Sequence, residues 1–288
     1  SKLIKFKFLN NINNDSNLTM FENDGIKQVK NFLSEESINN INSEIEEISN
    51  KYLINGVTRA STWINKNLYD ISNPIVNINK ENLLEIALDI NKIISKETSK
   101  KYLLSAVRII VEKKNSNPLG WHTDHFPDTI RGIIYIMGGE NGDGSLGYIK
   151  GSHKNNHDKK IHKINPKETN LENQIENIDS KPGDLIFFNT NGFHKKNTVI
   201  RERRILFFEF QDIKSAKKRH QIILDNSKIS SKILENINFL FTNENKTNLI
   251  APPFSDHIPD YTPVKLFLFY IKTFLKILIR RIFKKFSF

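Results

Sequence analysis

The chain has 288 residues, 38% of them hydrophobic, which is enough to bury the core of one large domain. It contains no cysteine, which excludes disulfides, thiolate zinc sites and cysteine-ligated iron–sulfur clusters, so any metal must bind to His, Asp or Glu. The formal net charge is +11, but residues 264–288 contribute seven Lys/Arg and no acid, so the rest of the chain is only mildly basic. Because that part shows no RNP-like or zinc-finger motif, we expect no nucleic-acid partner.

Two amphipathic helices are predicted before residue 103. Residues 34–51 begin with Ser34 and two Glu, a typical N-cap with acids in the first turn, and continue with Ile at spacings of three and four. Residues 81–102 carry a second helical pattern, with Leu84, Ala87 and Ile90 on one side. Each helix should bury one face against the rest of the domain.

From residue 103 the pattern changes to short β-rich segments separated by turn sequences. The predicted strands are 106–111, 132–137, 185–188 and 205–210. Asn141-Gly-Asp-Gly144 and Lys181-Pro-Gly-Asp184 are strong turn signals. Short strands without long intervening helices favour a mainly β fold, a sandwich or jelly roll, over a parallel α/β sheet. Residues 152–180 are polar and poorly patterned, so we predict a long insertion or lid there.

The sequence His122-Thr-Asp124 is a candidate metal-binding motif, because residues i and i+2 of a strand point to the same side. Two His and one carboxylate on one face are the usual ligands of iron(II) in non-haem oxygenases. By itself the motif means little, since 8 His and 32 acids in 288 residues yield about one His-x-acid by chance.

The sequence that follows strengthens the motif. His194 ends a segment in which a turn, an apolar strand and a Gly-containing loop deliver one imidazole, the expected third ligand. Arg203 comes nine residues later, at the start of the apolar strand 205–210, where its guanidinium could pair with a carboxylate in two hydrogen bonds.

Five segments in this order resemble the phytanoyl-CoA dioxygenase family of iron(II)/2-oxoglutarate oxygenases. They are residues 23–36 with Leu33-Ser-x-Glu36, the His122-x-Asp124 motif, Asn141-Gly to Gly151-Ser-His153, Gly183-Asp184 with the strand leading to His194, and Asn197 with Arg203-Arg204-Ile-Leu206. Together these matches cover about residues 21–212.

The resemblance implies a fold, cofactors and site residues. It implies a double-stranded β-helix (jelly-roll, cupin-like) core with flanking helices, and Fe(II) held by His122, Asp124 and His194 as metal-binding and catalytic residues. It further implies that Arg203 binds the C5 carboxylate of 2-oxoglutarate, with O2 as the second co-substrate and succinate and CO2 as products. Because Asp124 is present, hydroxylation is favoured over halogenation, in which this carboxylate is missing.

The assignment of the arginine is open by one or two positions. Arg201, Arg203 and Arg204 are all candidates, and Arg203 is preferred because its Arg-x-x-Leu register before the strand matches the family best. Arg204 is the alternative cofactor-binding residue, on the opposite face of the strand.

Several residues near the predicted ligands have undecided roles. We interpret His125 and His153 as structural or supporting residues. Arg108 and Arg131 lie on predicted strands, and if they face the interior they indicate an anionic substrate or a second contact to 2-oxoglutarate. Four aromatic residues flank the ligands and belong either to a pocket or to the core: Trp121, Phe126, Tyr135 and Phe193.

The predicted domain organisation is an oxygenase domain over residues 1–250, with a jelly-roll core at about 103–212 and a helical remainder at about 213–250. A Pro-containing linker at 251–263 leads to a basic amphipathic helix at 264–288, which lacks the roughly 18 apolar residues needed to span a bilayer. We expect this helix to bind an anionic membrane surface. The alternative is that it packs on the jelly roll or in a dimer interface.

Location and substrate follow as broad expectations. The N-terminal residues alternate Lys with apolar residues and lack the stretch of about 7–15 apolar residues of a secretory signal, so a cytoplasmic location is expected, peripheral on the inner face of the membrane. The substrate is a small molecule, a lipid or a lipid-linked compound. The competing hypotheses are a metal-binding jelly-roll protein that is not an oxygenase and a catalytically silent, membrane-associated binding module.

Overall fold

The computed structural model describes residues 19–55, 68–72, 80–98, 100–114, 119–124, 129–154, 163–168 and 171–212, together with single residues at 231, 235 and 271. His125 and Phe126 lie outside the described residues. Apart from those single positions, so do the predicted helical remainder, the linker and the C-terminal helix.

In the described part of the chain, three helices precede the chemistry-bearing strands: α1 (Thr19–Asp24), α2 (Glu35–Asn55) and α3 (Lys80–Thr98). At the start of α2, the Ser34 Oγ accepts a hydrogen bond from the Ser37 backbone N–H at 3.3 Å, as an N-cap does. The predicted apolar faces are buried, with Ile45 and Ile90 fully enclosed. Helix α3 ends before residue 102 because Tyr102 already starts a strand. No described helix is long and apolar enough to cross a membrane.

The described residues include ten strands, which form two antiparallel sheets, and this arrangement confirms the predicted jelly-roll core. The strands are β1 (Ile26–Val29), β2 (Leu68–Ser72), β3 (Tyr102–Glu112), β4 (Leu119–His122), β5 (Thr129–Met137), β6 (Leu146–Ile149), β7 (Ile175–Ile178), β8 (Leu185–Asn189), β9 (His194–Lys196) and β10 (Arg203–Asp212). The six-stranded sheet has the order β1-β8-β5-β10-β3-β2, and the four-stranded sheet has the order β4-β9-β6-β7.

The strands β5, β8 and β10 of the six-stranded sheet are buried on both faces. Towards the helices, Leu206 and Phe208 of β10 belong to one apolar cluster with Ile90 of α3. Towards the second sheet, Phe207 joins Tyr148 in a separate cluster, which fills the interior between the sheets. Burial on both faces explains why β10 has a continuous apolar run from Ile205 to Phe208 and does not alternate there with polar residues.

The predicted insertion at 152–180 is not wholly outside the core. Its last part forms β7, which pairs with β6 at the edge of the four-stranded sheet. The strand has only four residues, and most of them are partly or fully exposed, so no apolar alternation marks it in the sequence. A short edge strand of this kind is recognised from its pairing partner and not from its own composition.

The turn before β8 depends on Gly183. Its φ is +89°, its N–H donates to the Tyr135 carbonyl at 2.7 Å, and its own carbonyl accepts from the Leu33 N–H at 2.9 Å. A Cβ at this position would lie 2.8 Å from the Leu33 carbonyl oxygen and 2.8 Å from Ile38 Cδ1. The turn therefore joins β5, β8 and the start of α2 only when it has no side chain.

We expect Gly183→Ala to lower the free energy of unfolding by about 2 kcal/mol or more, because it combines a left-handed backbone with a backbone clash. Gly120→Ala is the control, since a Cβ there has no atom within 4 Å, and it should change stability by less than about 0.5 kcal/mol. Urea denaturation with a constant m-value measures both. Equal effects in the two variants would contradict the role given to Gly183.

Candidate metal centre

The pairing of β4 with β9 places His122 directly opposite His194. Their imidazole centroids are 4.3 Å apart. Asp124 follows two residues after His122, and its backbone N–H donates to the Thr190 carbonyl at 3.1 Å, which fixes the chain beyond the end of β4. The register of β4 and β9 thus brings together two histidines that are 72 positions apart in the sequence.

The ligand atoms of His122, Asp124 and His194 all lie within 4.8 Å of one another, and His194 Nε2 is 3.9 Å from Asp124 Oδ2. Metal–nitrogen and metal–oxygen bonds of about 2.0–2.2 Å allow two ligand atoms of one ion to be up to about 4.4 Å apart. The three side chains therefore need only small movements to enclose one ion. The predicted metal triad forms a single cluster.

Both imidazoles are held in the tautomer that a metal requires. His122 Nδ1 donates to the Gly120 carbonyl at 2.7 Å, and His194 Nδ1 donates to the Gly192 carbonyl at 2.9 Å. The Nε2 lone pairs are therefore free to face the triad. Burial lowers the pKa of His194 well below its ordinary value, and the nearby His122 and Arg131 lower it further. A neutral His194 is the form that binds a metal ion.

One atom of the triad, His194 Nε2, is buried without a hydrogen-bond partner among the described residues, and it lies 3.9 Å from Asp124 Oδ2. Leaving such an atom unsatisfied costs about 1–3 kcal/mol. A cation between the two side chains would satisfy this nitrogen and pair with the carboxylate, and two His with one carboxylate match the donor set of mononuclear iron(II). The residues present therefore fit the implied metal.

Arg131 of β5 supports Asp124 from the interior. Its Nη1 lies 2.6 Å from Asp124 Oδ2, and its Nη2 lies 3.5 Å from Glu209 Oε2. The guanidinium carbons of Arg131 and Arg108 are each 4.9 Å from the centre of the Phe207 ring. The direction of the two arginines, which the sequence left open, is thus decided: both face the interior.

Arg203 also faces the interior. Its Nη1 lies 3.1 Å from Glu112 Oε2, and its guanidinium carbon lies 5.6 Å from the centre of the Tyr135 ring. A Cβ on Gly144 would be 2.7 Å from Arg203 Cδ, so the glycine leaves the space in which this side chain passes. Arg203 is only 6% exposed, and its Nε has no hydrogen-bond partner among the described residues.

The two alternative arginines point elsewhere. Arg204, the predicted alternative for cofactor binding, does not face the interior, because successive residues of a strand alternate in direction. Its side chain pairs with Glu46 of α2 at 2.9 Å and with Glu202 at 2.7 Å. Arg201 is 70% exposed in its side chain and pairs with Asp143 at 3.1 Å. Of the three candidates, only Arg203 points between the sheets.

The family model described as phytanoyl-CoA dioxygenase matches residues 21–198, more than half of the chain. The chain belongs to the phytanoyl-CoA dioxygenase family. This membership and the His-Asp-His triad confirm the predicted cofactors, Fe(II) and 2-oxoglutarate. No curated protein matches the chain.

Solved structures with this fold include 2-oxoglutarate-dependent enzymes. SnoK, a carbocyclase from nogalamycin biosynthesis, is 14% identical with a TM-score of 0.53, over 68% of this chain and 82% of that one. The epimerase SnoN in complex with Fe3+, alpha-ketoglutarate and nogalamycin RO is 13% identical with a TM-score of 0.53, over 68% and 82%. HygX from Streptomyces hygroscopicus with nickel, 2-oxoglutarate and hygromycin B bound is 12% identical with a TM-score of 0.53, over 68% and 86%. Identities this low establish the fold alone.

In this phytanoyl-CoA dioxygenase family member, four other residues singled out from the sequence lie outside the triad: His153, Trp121, Tyr135 and Phe193. His153 Nε2 lies 3.2 Å from the Glu22 carbonyl at the end of α1, not in the triad. The Lys195 ammonium lies 5.0 Å from the centre of the Trp121 ring. Trp121 and Lys195 are each next to an inward-facing histidine in their strand, so their side chains point to the opposite side of the sheet. Tyr135 is fully buried beneath Arg203, and Phe193 is 2% exposed.

Sequence reasoning missed two interior residues, Glu112 and Lys196. Lys196 is two residues beyond His194 and shares its face of β9, so strand alternation was the signal that could have found it. Glu112 ends β3 and lies opposite Arg203 in the register of β3 and β10. No local pattern reveals that pairing, because it joins residues that are distant in the sequence.

His194→Ala should weaken Ni(II) or Co(II) binding by more than about 100-fold, since loss of a supporting residue alone costs about 10–100-fold. His153→Ala is the matched control and should bind the metal as the wild type does. Isothermal titration calorimetry on the metal-free chain measures both. Tight binding by His194→Ala, or an equal loss in the control, would contradict the assignment of the triad.

Proposed function

We propose that this protein is an Fe(II)- and 2-oxoglutarate-dependent dioxygenase that hydroxylates a small molecule. In this proposal His122, Asp124 and His194 bind the metal and are the catalytic residues, and Arg203 binds the C5 carboxylate of 2-oxoglutarate. The observation that carries it is a buried arginine, whose Nε has no hydrogen-bond partner among the described residues, in the same interior as a His-Asp-His triad in which the buried His194 Nε2 has none either.

The spacing of the interior residues supports a bridging co-substrate. His194 and Lys196 lie on the same face of β9, and two residues of a strand span about 7 Å. Lys196 and Arg203 both contact Glu112, which places Arg203 in the same part of the interior as Lys196. In the proposal, 2-oxoglutarate spans the interior between the triad and Arg203.

The chain's own part is to position groups and to exclude water. Arg131 holds the Asp124 carboxylate towards His194, and the Phe188 ring covers His194 at a centroid distance of 5.0 Å. When bound, Fe(II) and 2-oxoglutarate supply the oxidation of a substrate C–H bond, with release of succinate and CO2. The apolar cluster between the sheets protects this chemistry from solvent.

Charged groups beside the triad favour a polar substrate. Arg108, Arg131 and Glu209 line the interior around Phe207. Burying these groups against a plain hydrocarbon chain would leave them poorly solvated, whereas a substrate with anionic or hydroxyl groups can pair with them. Among the lipid, lipid-linked and other candidates, a compound with a polar or anionic head is therefore favoured.

A second reaction outcome has specific support. SnoK is described as a carbocyclase and SnoN as an epimerase, and both share this fold. The same iron and 2-oxoglutarate chemistry could therefore end in ring closure or inversion and not in hydroxylation. A product heavier than its substrate by one oxygen atom identifies hydroxylation, whereas loss of two hydrogens or an unchanged mass identifies the alternatives.

Metal-loaded protein should form succinate from 2-oxoglutarate under oxygen, even without substrate, by the uncoupled reaction. His122→Ala should abolish this, and Arg203→Ala should raise the KM for 2-oxoglutarate at least about tenfold, since a charged hydrogen bond contributes about 1.5–3 kcal/mol. Arg201→Ala is the matched control, because Arg201 is exposed and points away from the interior.

The same measurement separates the competing hypotheses. A metal-binding jelly-roll protein of another activity would bind metal but would not need Arg203. A silent binding module would tolerate loss of His122. Absence of succinate together with absence of metal-dependent 2-oxoglutarate binding would overturn the oxygenase proposal.

We further propose, from sequence alone, that residues 264–288 bind an anionic membrane surface, with each of several cations contributing about 1 kcal/mol. The full chain should sediment with vesicles containing phosphatidylserine, and less so in high salt. A variant with Lys272, Lys276 and Arg280 replaced by Gln should lose most of this binding. Vesicles of phosphatidylcholine are the control, and equal sedimentation with both would contradict an electrostatic surface interaction.

A further inference from the structure

Among the described residues, the part of the interior around Arg203 holds two buried cations and one buried carboxylate. The Lys196 ammonium hydrogen-bonds to Glu112 Oε1, and Arg203 Nη1 lies 3.1 Å from Glu112 Oε2. The side chains of Glu112, Arg203 and Lys196 are only 4%, 7% and 12% exposed. One carboxylate is therefore shared between two cations in a site nearly closed to solvent.

The Glu112 carboxylate contacts Arg203, the residue that binds the co-substrate in the proposed function. Glu112 and Arg203 are directly opposite in the register of β3 and β10, so the backbone keeps the glutamate beside the guanidinium. The contact with Lys196 is the shorter of the two and is a hydrogen bond. Arg203 Nε is left without a partner among the described residues, so the guanidinium still has a donor for a second carboxylate.

We propose that Glu112 is an internal placeholder for the co-substrate carboxylate, and that Lys196 takes over Glu112 when a dicarboxylate binds to Arg203. This inference rests on the proposed function, because it assumes that 2-oxoglutarate binds at Arg203. Glu112 lowers the affinity for 2-oxoglutarate by competing for the guanidinium, and Lys196 restores it by holding Glu112 back. Both residues determine co-substrate affinity, and neither is a catalytic residue.

The charge balance favours this exchange over simple addition of a ligand. Two cations and one carboxylate carry a net charge of +1, so one incoming carboxylate neutralises the cluster in a setting where uncompensated charge is costly. Without Lys196, the incoming carboxylate would meet a guanidinium already neutralised by Glu112. Two carboxylates sharing one buried arginine repel each other.

A double-mutant cycle on the full chain loaded with Co(II) tests the inference, with 2-oxoglutarate binding measured by calorimetry under nitrogen. Glu112→Gln should bind 2-oxoglutarate about tenfold tighter, because the competitor is gone. Lys196→Met should bind it at least about tenfold more weakly, because Glu112 then loses the Lys196 ammonium and competes more strongly for Arg203. The double variant should not show the weaker binding of Lys196→Met, and its affinity for 2-oxoglutarate should be close to that of Glu112→Gln.

The ligand control is 2-oxobutanoate, which has the same oxo-acid group but no distal carboxylate, and its affinity should not change among these variants. Weaker 2-oxoglutarate binding by Glu112→Gln would show that Glu112 only positions Arg203 and would overturn the inference. A defect of Lys196→Met that persists in the double variant would overturn it as well.

Two further features keep the outcomes distinct. The double variant replaces a buried ion pair with neutral side chains of similar size, a change that proteins often tolerate, so it remains informative if a single variant does not fold. If it binds 2-oxoglutarate more weakly than the wild type, the inference is wrong. If the Co(II)-loaded wild type binds no 2-oxoglutarate at all, the proposed function itself is wrong.

Discussion

The antiparallel register between β4 and β9 is the constraint on which the site depends. It places His122 opposite His194, and the chain beyond β4 then brings Asp124 to the same cluster. Backbone carbonyls two residues before each histidine, at Gly120 and Gly192, accept its Nδ1 proton and orient the ring. A shift of one residue in this pairing would turn both imidazoles to the outside of the sheet and destroy the site.

The interior between the sheets is organised by charge as much as by apolar packing. Near the triad, Arg131 lies between Asp124 and Glu209. At the start of β10, Glu112 of β3 lies between Lys196 of β9 and Arg203 of β10. In these two groups each charge has an opposite charge from another segment of the chain, as burial in a medium of low polarity demands. Among the described residues, the same arrangement leaves His194 Nε2 and Arg203 Nε without hydrogen-bond partners, and the proposed function assigns the metal and the co-substrate to these two side chains.

Much of the site could be predicted because local patterns carry it. The His-x-Asp spacing, the turn and strand before His194 and the order of five motifs led to the metal triad and to the family. The apolar strands were found because burial on both faces leaves a continuous apolar run, as in β10. Short strands such as β7 and β9 were missed, since three or four half-exposed residues have no periodicity to detect.

The sequence by itself determined the mainly β fold class, the helices α2 and α3, the three residues of the His-Asp-His triad and the kinship with the phytanoyl-CoA dioxygenases, because strand alternation and helix periodicity are local properties. Only the tertiary structure decided that Arg203 and not Arg204 faces the interior, that Arg108 and Arg131 point inwards, and that Glu112 joins Lys196 to Arg203. These facts depend on which strands are neighbours and in which register. Such pairings join residues up to about a hundred positions apart, and no local pattern encodes them.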